Sequence, residues 1–401
     1  MVHLYGDGIH DDTEGLQQLI DEGLCEVILP APKVCYLISK PLELPSNFRL
    51  VLPRFAEVKL ADGSNCFMLK NKTVEDRAHR TDDKFWWFLN KYSPDYECRN
   101  IEVTGGIWNC NNLGQEPNPI QTHVFNVEDY SGFGMFFYNV KNLIIKDLTI
   151  KDPVNFSITF DTVSYFTVEN IVFDFNYGNP SAMNMDGVHL NGICHFGLIR
   201  NLQGTCYDDM VALNADEGSN GDITNIEISG IIAENSHSAV RLLTVKNAIE
   251  NVHIHDVYGT YFQYCIGITK FYRGESTGYY AGISIDNIFA SKAPRISVYG
   301  KDGSYVYPLI WAEKNLYIRD LSIRNVHRKE TDTPVETVFL GENSVVEHFT
   351  HSHIFTENDT ESEMPLFVNN GTIKNLRLEE LDSHGDPLLI NNHIIDNIKE
   401  S

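Results

Sequence analysis

Three aspartates in two short motifs carry the strongest chemical signal in this sequence. Asn184–Asp186 is followed, 22 residues later (186 to 208), by Tyr207–Asp209, and each motif precedes a short run of alternating apolar and polar residues. His237 and Lys270 follow at larger spacings. If the two acidic motifs occupy the same place on successive turns of a repetitive sheet, their carboxylates converge on one face.

Converging aspartates suit the hydrolysis of a glycosidic bond. One carboxylic acid protonates the leaving oxygen, while a carboxylate on the other side activates water or attacks the sugar. Crowding raises the proton affinity of one member, so that it stays protonated while its neighbours are ionised. Because Asp208 and Asp209 would point to opposite faces in a regular strand, we expect them at a turn or bend. The alternative is that Asp186 and Asp208 are only turn residues of a repeat, but two such motifs one repeat apart favour the catalytic interpretation.

A weak sequence repeat must position these residues. Its form is roughly Asn-x-x-Ile-x-Asn/Asp-Ile/Leu-x-Ile/Val, and successive starts from residue 142 differ by 23, 30, 30, 26, 31 and 33 residues. Short strands and Asn turns at such a period are typical of a parallel β-solenoid. The Asn in the middle fits a tight bend, because Asn tolerates the left-handed conformation. A β-sandwich is the alternative, but its hairpins would give shorter and less regular spacings. The predicted fold class is therefore all-β, a parallel β-helix.

The solenoid is predicted to form a single domain over 1–401, with three local departures. Residues 1–30 form an N-terminal cap, because Leu16, Leu19 and Ile20 lie on one face of a short amphipathic helix. The charged and aromatic segment 71–99 interrupts the repeat and is predicted to be a loop excursion. The polar segment from about 327 to 401 carries less of the motif and is predicted to form irregular C-terminal coils.

Composition and charge limit the partners. The chain of 401 residues is 42% hydrophobic, ample for a large core, and its formal net charge of −24 argues against nucleic acid and against an anionic membrane surface. No run of 18 apolar residues exists, so no transmembrane span is predicted. The first residues lack a signal peptide, which places the protein in the cytoplasm as the sequence stands, or outside it if a leader was removed.

The eight cysteines form no paired C-x-x-C spacing. They are interpreted as small buried side chains, with a disulfide or two left open. The oxygen ligands Asn214, Asp216 and Glu217 could line a groove or bind calcium, but no loop spacing supports a metal. We therefore expect no metal and no cofactor.

These motifs resemble the polygalacturonase group of glycoside hydrolases (family 28), which are right-handed parallel β-helix proteins of the pectin lyase-like superfamily. The family's Asn-Thr-Asp motif corresponds to Asn184–Asp186, and its Gly-Asp-Asp motif to Tyr207–Asp209. Its Gly-His-Gly motif is matched loosely by Ser236–Ser238, and its Arg-Ile-Lys motif by Ile268–Lys270, without the arginine. The resemblance runs from the Gly-Asp-Gly opening to about residue 300.

The resemblance implies a role for each matched acidic residue. Asp208 would be the general acid, while Asp186 and Asp209 would hold and activate water in an inverting displacement. His237 would tune the protonation of the acid and contact the sugar. Inverting geometry predicts carboxyl separations of roughly 6.5–9.5 Å.

The resemblance also implies a set of substrate-binding residues. Lys270 would face the carboxylate of a uronic acid, with Tyr272 beside it, and Arg241 or Arg273 could replace the missing guanidinium. His189 would be a substrate contact if its strand face lines the groove, or otherwise a surface histidine. The full predicted set is Asn184, His189, His237, Arg241, Lys270 and Tyr272.

The sequence thus predicts a hydrolase that cleaves glycosidic bonds of a uronic-acid-containing, pectin-like polysaccharide or oligosaccharide, its carbohydrate substrate. Three alternatives stay open: a polysaccharide lyase on the same solenoid, a carbohydrate-binding or tail-spike-like fibre without activity, and a relative that has lost activity. An acidic centre with one candidate base, Lys270, favours hydrolysis over elimination. Whether the aspartates meet in an open groove separates the enzyme from the scaffold.

Overall fold

A computed structural model describes residues 2–72, 97–118, 131–270, 276–294 and 306–400, and the chain divides into two compact units. Unit 1 holds residues up to 207 together with 217–219, and unit 2 holds 208–216 together with the residues from 220 onward. Parallel β-strands build both units, and the fold is the predicted all-β, right-handed parallel β-helix. The single domain over 1–401 stays a prediction.

Unit 1 contains one α-helix, one short 3-10 helix and twelve strands in its described residues. The helices are α1 (Thr13–Asp21) and a 3-10 turn (Asn112–Gly114). The strands are β1 (Glu26–Ile28), β2 (Tyr36–Ile38), β3 (Leu42–Leu44), β4 (Phe48–Val51), β5 (Glu57–Leu60), β6 (Leu69–Asn71), β7 (Cys98–Thr104), β8 (Ile107–Asn109), β9 (Met135–Lys151), β10 (Ile158–Asp174), β11 (Val188–Leu190) and β12 (His195–Gly204).

The long strand β9 shows how one coil is built. Its first residues pair with β6, its middle pairs with β7, and Thr149–Lys151 pairs with β8. The strand bends between these segments at Asn139, Asn142 and Asp147, which all have positive φ. Each bend turns the chain onto a new face, so one continuous stretch contributes to three parallel ladders.

The left-handed bend predicted for the Asn in the middle of the motif is confirmed at Asn170, with φ of 57°. Asn100 and Asn142, which begin copies of the motif, are also left-handed, with φ of 56° and 65°. Asn side chains at equivalent positions also join neighbouring coils, because the Asn142 amide donates to Asn100 Oδ1 at 2.9 Å. The Asn residues therefore serve both as bend residues and as a ladder of hydrogen bonds.

Helix α1 packs against strand β3, with Leu16 and Ile20 buried and Leu19 only partly so. Gln17 hydrogen-bonds the backbone of Glu43 in both directions, accepting from its N–H at 2.8 Å and donating to its carbonyl at 3.1 Å. The helix thereby covers apolar surface and satisfies backbone groups of a terminal strand. Asp12 occupies the N-cap position but makes no capping hydrogen bond to the helix.

Unit 2 contains fourteen strands in its described residues. They are β13 (Asp209–Asn214), β14 (Ile223–Ser236), β15 (Ser238–Leu243), β16 (Ala248–Tyr261), β17 (Ile266–Thr269), β18 (Gly278–Lys292), β19 (Ile310–Ala312), β20 (Leu316–Glu330), β21 (Val338–Leu340), β22 (Val345–Asn358), β23 (Phe367–Asn369), β24 (Thr372–Asp382), β25 (Leu389–Asn391) and β26 (Ile395–Glu400). A short ladder, β13–β15–β17–β19–β21–β23–β25, and a long ladder, β14–β16–β18–β20–β22–β24–β26, are both parallel.

The prediction of irregular coils over 327–401 is wrong. Strands β22 and β24 pair in parallel from Val345↔Thr372 to Phe355↔Asp382, and β26 continues this ladder. The burial of β22 still alternates over most of its length, although polar residues such as His351 and Thr356 are among its buried positions. A polar composition therefore does not prevent the strand, because the parallel ladder is built from backbone hydrogen bonds.

Three further sequence predictions concern the cysteines, membrane-spanning helices and the segment 71–99. All eight cysteines are free thiols, and six of them are buried, so no disulfide joins the coils. No helix within the described ranges is long and apolar enough to cross a membrane. Residues 73–96 of the predicted excursion 71–99 lie outside the described residues.

Candidate functional site

The second acidic motif forms a buried cluster in unit 2. Asp208 lies in a bend, and Asp209 is the first residue of β13, as expected for neighbouring aspartates that act together. Asp208 and His237 are each 4% exposed and Asp209 is 0% exposed. One carboxylate oxygen of each aspartate and one ring nitrogen of His237 all lie within 4.8 Å of one another. Bends on two neighbouring coils, one at Asp208 and one at His237, thus bring two carboxylates and an imidazole to one point.

His237 lies beside both carboxylates of this cluster. Its Nδ1 is 3.6 Å from Asp208 Oδ1 and 3.9 Å from Asp209 Oδ1, longer than a hydrogen bond. The edge of Phe262 contacts the imidazole at 5.3 Å between ring centroids, and Tyr264 lies 6.2 Å away. At these distances a positive charge on the imidazole favours the ionised form of both aspartates, but its Nδ1 does not hold either carboxylate oxygen by a hydrogen bond.

Asp209 is held by the next coil. Ser238, its register partner on β15, donates its hydroxyl to Asp209 Oδ1. Arg241 places its Nε 2.9 Å from Asp209 Oδ2. Burial raises the pKa of Asp209, and the charge of Asp208 adds to the rise, against the opposing charges of Arg241 and His237 and the Ser238 hydrogen bond. The pair therefore keeps a proton to higher pH than an exposed aspartate does.

Arg241 has a partner that was not predicted from the sequence. We expected its guanidinium to contact the substrate, but it forms an ion pair with Asp209 and its side chain is only 16% exposed. A guanidinium placed in this way favours the ionised form of Asp209. The structure therefore places Arg241 with the acidic pair.

Lys270 lies at the end of β17, on the coil after Arg241. It is 4% exposed, so it is not the solvated surface lysine that was its alternative interpretation. Its backbone N–H donates to Glu313 Oε2 at 2.6 Å. Burial raises the pKa of the Glu313 carboxyl, although the charges of Lys270, Lys314 and Arg241 oppose the rise. Tyr272 and Arg273 lie outside the described residues.

An aromatic group beside the cluster was missed by the sequence analysis. Tyr264, Tyr307 and Trp311 lie together, with ring centroids 5.9 Å, 5.6 Å and 4.7 Å apart for the three pairs. The Tyr264 ring lies 6.2 Å from the His237 ring of the cluster, and burial, together with the charge of Asp209, raises the pKa of its phenol. No local sequence pattern marks this group, because Tyr264 precedes β17 whereas Tyr307 and Trp311 lie at β19, and only the fold brings them together.

The first acidic motif lies in unit 1, in a different kind of cluster. His189 Nδ1 is 2.6 Å from Asp186 Oδ2, and its Nε2 is 2.9 Å from Glu217 Oε2. The ring stacks on Phe156 with 3.8 Å between centroids. Burial would lower the pKa of His189, but the hydrogen bonds to Asp186 and Glu217 outweigh it and raise the pKa to about 9. His189 is 0% exposed with both nitrogens engaged, so neither a surface histidine nor a direct substrate contact fits this geometry.

The other polar residues named in the sequence analysis include Asn184, whose predicted contact with substrate stays a prediction. Asn184 is partly buried in the left-handed conformation, with φ of 56°, just ahead of Asp186. In unit 2, Asp216 Oδ2 accepts from the Thr244 hydroxyl at 3.0 Å, and Asp216 Oδ1 accepts from the Asn247 amide at 2.6 Å. Asp216 and Glu217 are thus used within separate hydrogen-bond networks, which does not fit a shared calcium site with Asn214.

A further buried carboxylate in unit 1, Asp161, is also satisfied by its surroundings. Its Oδ2 accepts the Ser219 N–H at 2.9 Å, and its Oδ1 accepts the Thr162 hydroxyl at 2.9 Å. Burial raises its pKa to about 6 against these hydrogen bonds. Because both oxygens accept hydrogen bonds from neighbouring groups, Asp161 is interpreted as a structural group.

Comparison with known proteins identifies the fold and no family. No protein-family model matches the chain, and a search of curated proteins finds no match. Among solved structures, the chain is similar to a family 28 exopolygalacturonase from Yersinia enterocolitica, with a TM-score of 0.60, 14% identity, and coverage of 99% of this chain and 77% of that one. It is also similar to a polygalacturonase from Erwinia carotovora, with a TM-score of 0.56, 13% identity, and coverage of 98% and 94%.

A protein of another function shares the same architecture. PfbA, a surface adhesin of Streptococcus pneumoniae, matches with a TM-score of 0.52 and 15% identity, covering 100% of this chain and 92% of that one. Identities this low show a common fold alone, and the fold hosts both hydrolases and adhesins. The chain therefore has the parallel β-helix fold of polygalacturonases, and its chemistry has to be argued from its own residues.

Proposed function

We propose that the protein is a glycoside hydrolase that cleaves a glycosidic bond of a polysaccharide or oligosaccharide by inverting acid–base catalysis. The observation that supports this most strongly is the buried group of Asp208, Asp209 and His237, whose proton-binding atoms lie within 4.8 Å of one another. Two carboxylates of this kind, one protonated and one ionised, are what glycoside hydrolysis requires.

In the proposed reaction, Asp208 gives its proton to the leaving oxygen. Asp209, ionised beside Arg241 and fixed by Ser238, polarises the attacking water. The raised pKa of Asp209 supports a shared proton in the pair, since adjacent carboxylates cannot both ionise freely. His237 adjusts the proton affinity of both and contacts the sugar.

The assignment of Asp186 to the same reaction remains part of the proposal. The sequence places it one repeat before the Asp208 motif, and the resemblance gives it a share in activating the water. An oxygen of Asp208 and one of Asp209 lie within 4.8 Å, closer than the roughly 6.5–9.5 Å between carboxyl groups that inverting hydrolysis uses. An inverting mechanism therefore needs a carboxylate besides this pair on the side of the water, which is the role proposed for Asp186.

The acidic character of the cluster supports hydrolysis over elimination. A lyase needs a base next to the α-carbon of a uronate and positive charge to stabilise the resulting anion. The candidate base, Lys270, has a carboxylate beside its backbone, because Glu313 accepts its N–H. Such a carboxylate opposes the build-up of negative charge that elimination requires.

The proposal is tested by product release from polygalacturonate, rhamnogalacturonan and a panel of neutral polysaccharides, with Asp208→Asn in parallel. We expect reducing sugar from at least one polymer, no unsaturated product, and inversion of the anomeric centre by NMR. The control is Asp320→Asn, the same chemical change at an exposed ion pair with Arg319. Equal release by wild type and Asp208→Asn would reject the catalytic assignment. An unsaturated product would indicate a lyase, and tight binding of a polymer that is never cleaved would indicate a binding scaffold.

A further inference from the structure

A three-residue segment of unit 1, Glu217–Ser219, packs directly on strand β10. The Ser219 N–H donates to Asp161 Oδ2 at 2.9 Å. A Cβ atom at Gly218 would collide with the same oxygen, and the φ of Gly218 is +58°, in the left-handed region that favours glycine. Glycine at this position lets the backbone approach the strand, which fixes the place from which the Glu217 side chain extends.

His189 lies between two carboxylates, one at each ring nitrogen. Its Nδ1 is 2.6 Å from Asp186 Oδ2, and its Nε2 is 2.9 Å from Glu217 Oε2. The side chains of His189, Asp186 and Glu217 are 0%, 2% and 6% exposed. Both ring nitrogens can donate only in the protonated imidazolium, so the two hydrogen bonds are charge-assisted and strong. These three side chains form the His189 group.

The packing around the His189 group fixes the orientation of its members. The His189 ring stacks on Phe156 with 3.8 Å between centroids and 11° between the ring planes. Its backbone pairs in register with Thr159 of β10. The Ser157 N–H donates to the carbonyl of Asp186 at 3.0 Å. Because stacking and two hydrogen bonds restrict the ring, its Nδ1 holds the Asp186 carboxylate in one rotation.

The charged groups that act on His189 are the two carboxylates that it contacts. Strand β10 places the uncharged Thr159 across from His189. The titratable groups that share this face of β10 and β9, Asp161 and Tyr138, pair with each other two residues further along. Burial opposes the protonation of His189, but its two carboxylates outweigh it and raise its pKa to about 9. Two negative charges and one positive charge leave the group with a net charge of −1.

This arrangement suits a carboxylate that activates water. In the proposed reaction, water forms a bond to the anomeric carbon and gives up a proton on its own side, while the leaving oxygen takes the proton of Asp208. The carboxylate that receives the proton of the water must be ionised and correctly oriented beforehand. The imidazolium of His189 favours the ionised form of Asp186, and Glu217 balances the charge of the imidazolium. The group therefore keeps one negative charge for the incoming proton.

We propose that His189 is a positioning residue, which holds the Asp186 carboxylate ionised and oriented for the attacking water, and that Glu217 positions His189. The proposal rests on the proposed function, in which Asp186 shares in activating the water. Neither His189 nor Glu217 touches the sugar in this role. The role replaces the substrate contact that the sequence predicted for His189, and it gives Glu217 a function other than binding calcium or lining a groove.

Two amide variants interrupt the His189 group at different points. The amide nitrogen of His189→Asn takes the place of Nδ1 and keeps a donor for Asp186, whereas that of His189→Gln takes the place of Nε2 and reaches only Glu217. Initial rates are measured on the polymer that wild type cleaves best, after circular dichroism confirms the fold. We expect kcat to fall by about 10²-fold in His189→Gln and by about tenfold in His189→Asn, with KM nearly unchanged in both. Equal kcat in the two variants, or a loss expressed mainly in KM, would overturn the proposal.

The acid limb of the pH profile separates this role from a structural one. The limb follows the carboxylate that must be ionised, and both amide variants lack the positive charge that favours ionised Asp186. The limb should therefore move upward by about one unit in both variants, in rates measured from pH 3 to 9. His10→Asn is the control, the same change at an exposed pair of unit 1 with His10 Nδ1 2.8 Å from Asp7 Oδ2, and it should leave the profile unchanged. An acid limb that stays in place in both amide variants would reject the role.

Glu217→Gln tests the second contact without relying on cleavage. NMR of isotope-labelled histidine follows the protonation of His189, whose signal is identified by its absence from His189→Asn. Wild type should be half protonated near pH 9, and Glu217→Gln at a clearly lower pH, because one of the two carboxylates that stabilise the imidazolium is gone. Glu22→Gln, at an exposed position of unit 1, should leave the titration unchanged. The same midpoint in Glu217→Gln and wild type would reject Glu217 as the partner of His189.

Asp186→Asn keeps the positioning role and the proposed function separable. We expect this variant to lose at least as much activity as His189→Gln, since an amide does not take the proton of the water. If it cleaves as fast as wild type, the share of Asp186 in hydrolysis fails, and the positioning role fails with it. If it loses activity while both His189 amide variants keep the kcat and the acid limb of wild type, the proposed function holds and the positioning role alone is rejected.

Discussion

The two units each bury a histidine with two carboxylates, yet the two groups differ in how closely the atoms meet. In unit 1, His189 is hydrogen-bonded at 2.6 Å and 2.9 Å to its two carboxylates and stacked on Phe156. In unit 2, His237 Nδ1 lies 3.6 Å and 3.9 Å from Asp208 and Asp209. Both groups combine an imidazole with two carboxylates, but only in the first does each ring nitrogen lie within hydrogen-bonding distance of its own carboxylate.

The difference separates a histidine that is fully paired from one that lies beside two carboxylates sharing a proton. In the His189 group, each ring nitrogen has its own acceptor, so the imidazolium is locked and its pKa is raised to about 9. In the His237 group, two carboxylates compete for one proton while the imidazole changes their balance from a short distance. A group that must give and take protons needs such competition, whereas a group that supports the fold gains from full pairing.

Asp209→Asn should give the largest effect. The amide cannot become an anion, so the pair loses its base, and the rate should fall by about 10²–10⁴-fold. Initial rates on the polymer that wild type cleaves best measure this loss, and circular dichroism verifies the fold. Asp222→Asn in the same unit serves as the control, because Asp222 lies just before β14 and its Oδ1 accepts the N–H of Ala248 at the start of β16. A loss below about tenfold would remove Asp209 from the reaction.

His189→Leu should give the largest loss of stability. It leaves the buried carboxylates of Asp186 and Glu217 without their shared cation, and breaking a buried ion pair costs about 3–5 kcal/mol. Urea unfolding at neutral pH measures the change in the free energy of unfolding. His237→Leu is the matched variant and should lose less, since its ring makes no comparably short contact with Asp208 or Asp209. Equal losses in the two variants would contradict the distinction between the groups.

The pH dependence of stability should follow the His189 group as well. Its pKa is about 9 in the folded chain, above the ordinary value of 6.5, so the folded state binds this proton more tightly. The resulting stability is complete below about pH 6.5 and is lost as the pH rises through 9. Melting temperatures between pH 6 and 10 should therefore fall more steeply in wild type than in His189→Leu. Parallel curves for the two proteins would show that this pairing does not set the pKa.

A third buried histidine, His351 in unit 2, sharpens the comparison because no carboxylate contacts its ring among the described residues. It packs between Phe349 and Phe367, with ring centroids 4.2 Å and 4.5 Å away, and burial lowers its pKa to about 3. The unfolded chain binds the proton more readily here, so stability is lost as the pH falls from about 6.5 to 3. His351→Phe should remove about 2–3 kcal/mol of this loss at pH 4.5 and change little at pH 8. His353→Asn, at an exposed histidine, is the control, and equal acid sensitivity of His351→Phe and wild type would refute the assignment.

Much of the fold could be predicted from the sequence, because it depends on patterns among neighbouring residues. The repeat, the left-handed bend at a mid-motif Asn such as Asn170, and the amphipathic helix with Leu16 and Ile20 each follow from a few neighbouring residues. The C-terminal coils were misjudged because composition was used in place of periodicity. Strand β22 keeps its alternating burial despite a polar sequence.

The site could be predicted from the sequence only in part. The residues around one member of a contact between coils do not identify the other member. The bend at Asp208 and Asp209 followed from strand geometry. The Asp209–Arg241 ion pair and the Lys270–Glu313 hydrogen bond join residues 32 and 43 positions apart, and no local pattern identifies them. Nor does any local pattern show that His189 is enclosed, since burial of its strand on both sides depends on the rest of the fold.

The smallest expected effect is a shift in the pH profile of hydrolysis in the His237→Gln variant. The charge of His237 lowers the pKa of Asp209, in opposition to burial and Asp208. Removing that charge should let the acidic pair keep its proton to higher pH, so the alkaline limb of the profile should move upward by less than about one unit. Rates measured from pH 4 to 9 test this, with His255→Gln, at a partly exposed histidine of the same unit, as the control. A downward shift would mean that His237 acts on the pair through contact rather than charge, and the two histidine groups would then be alike in kind.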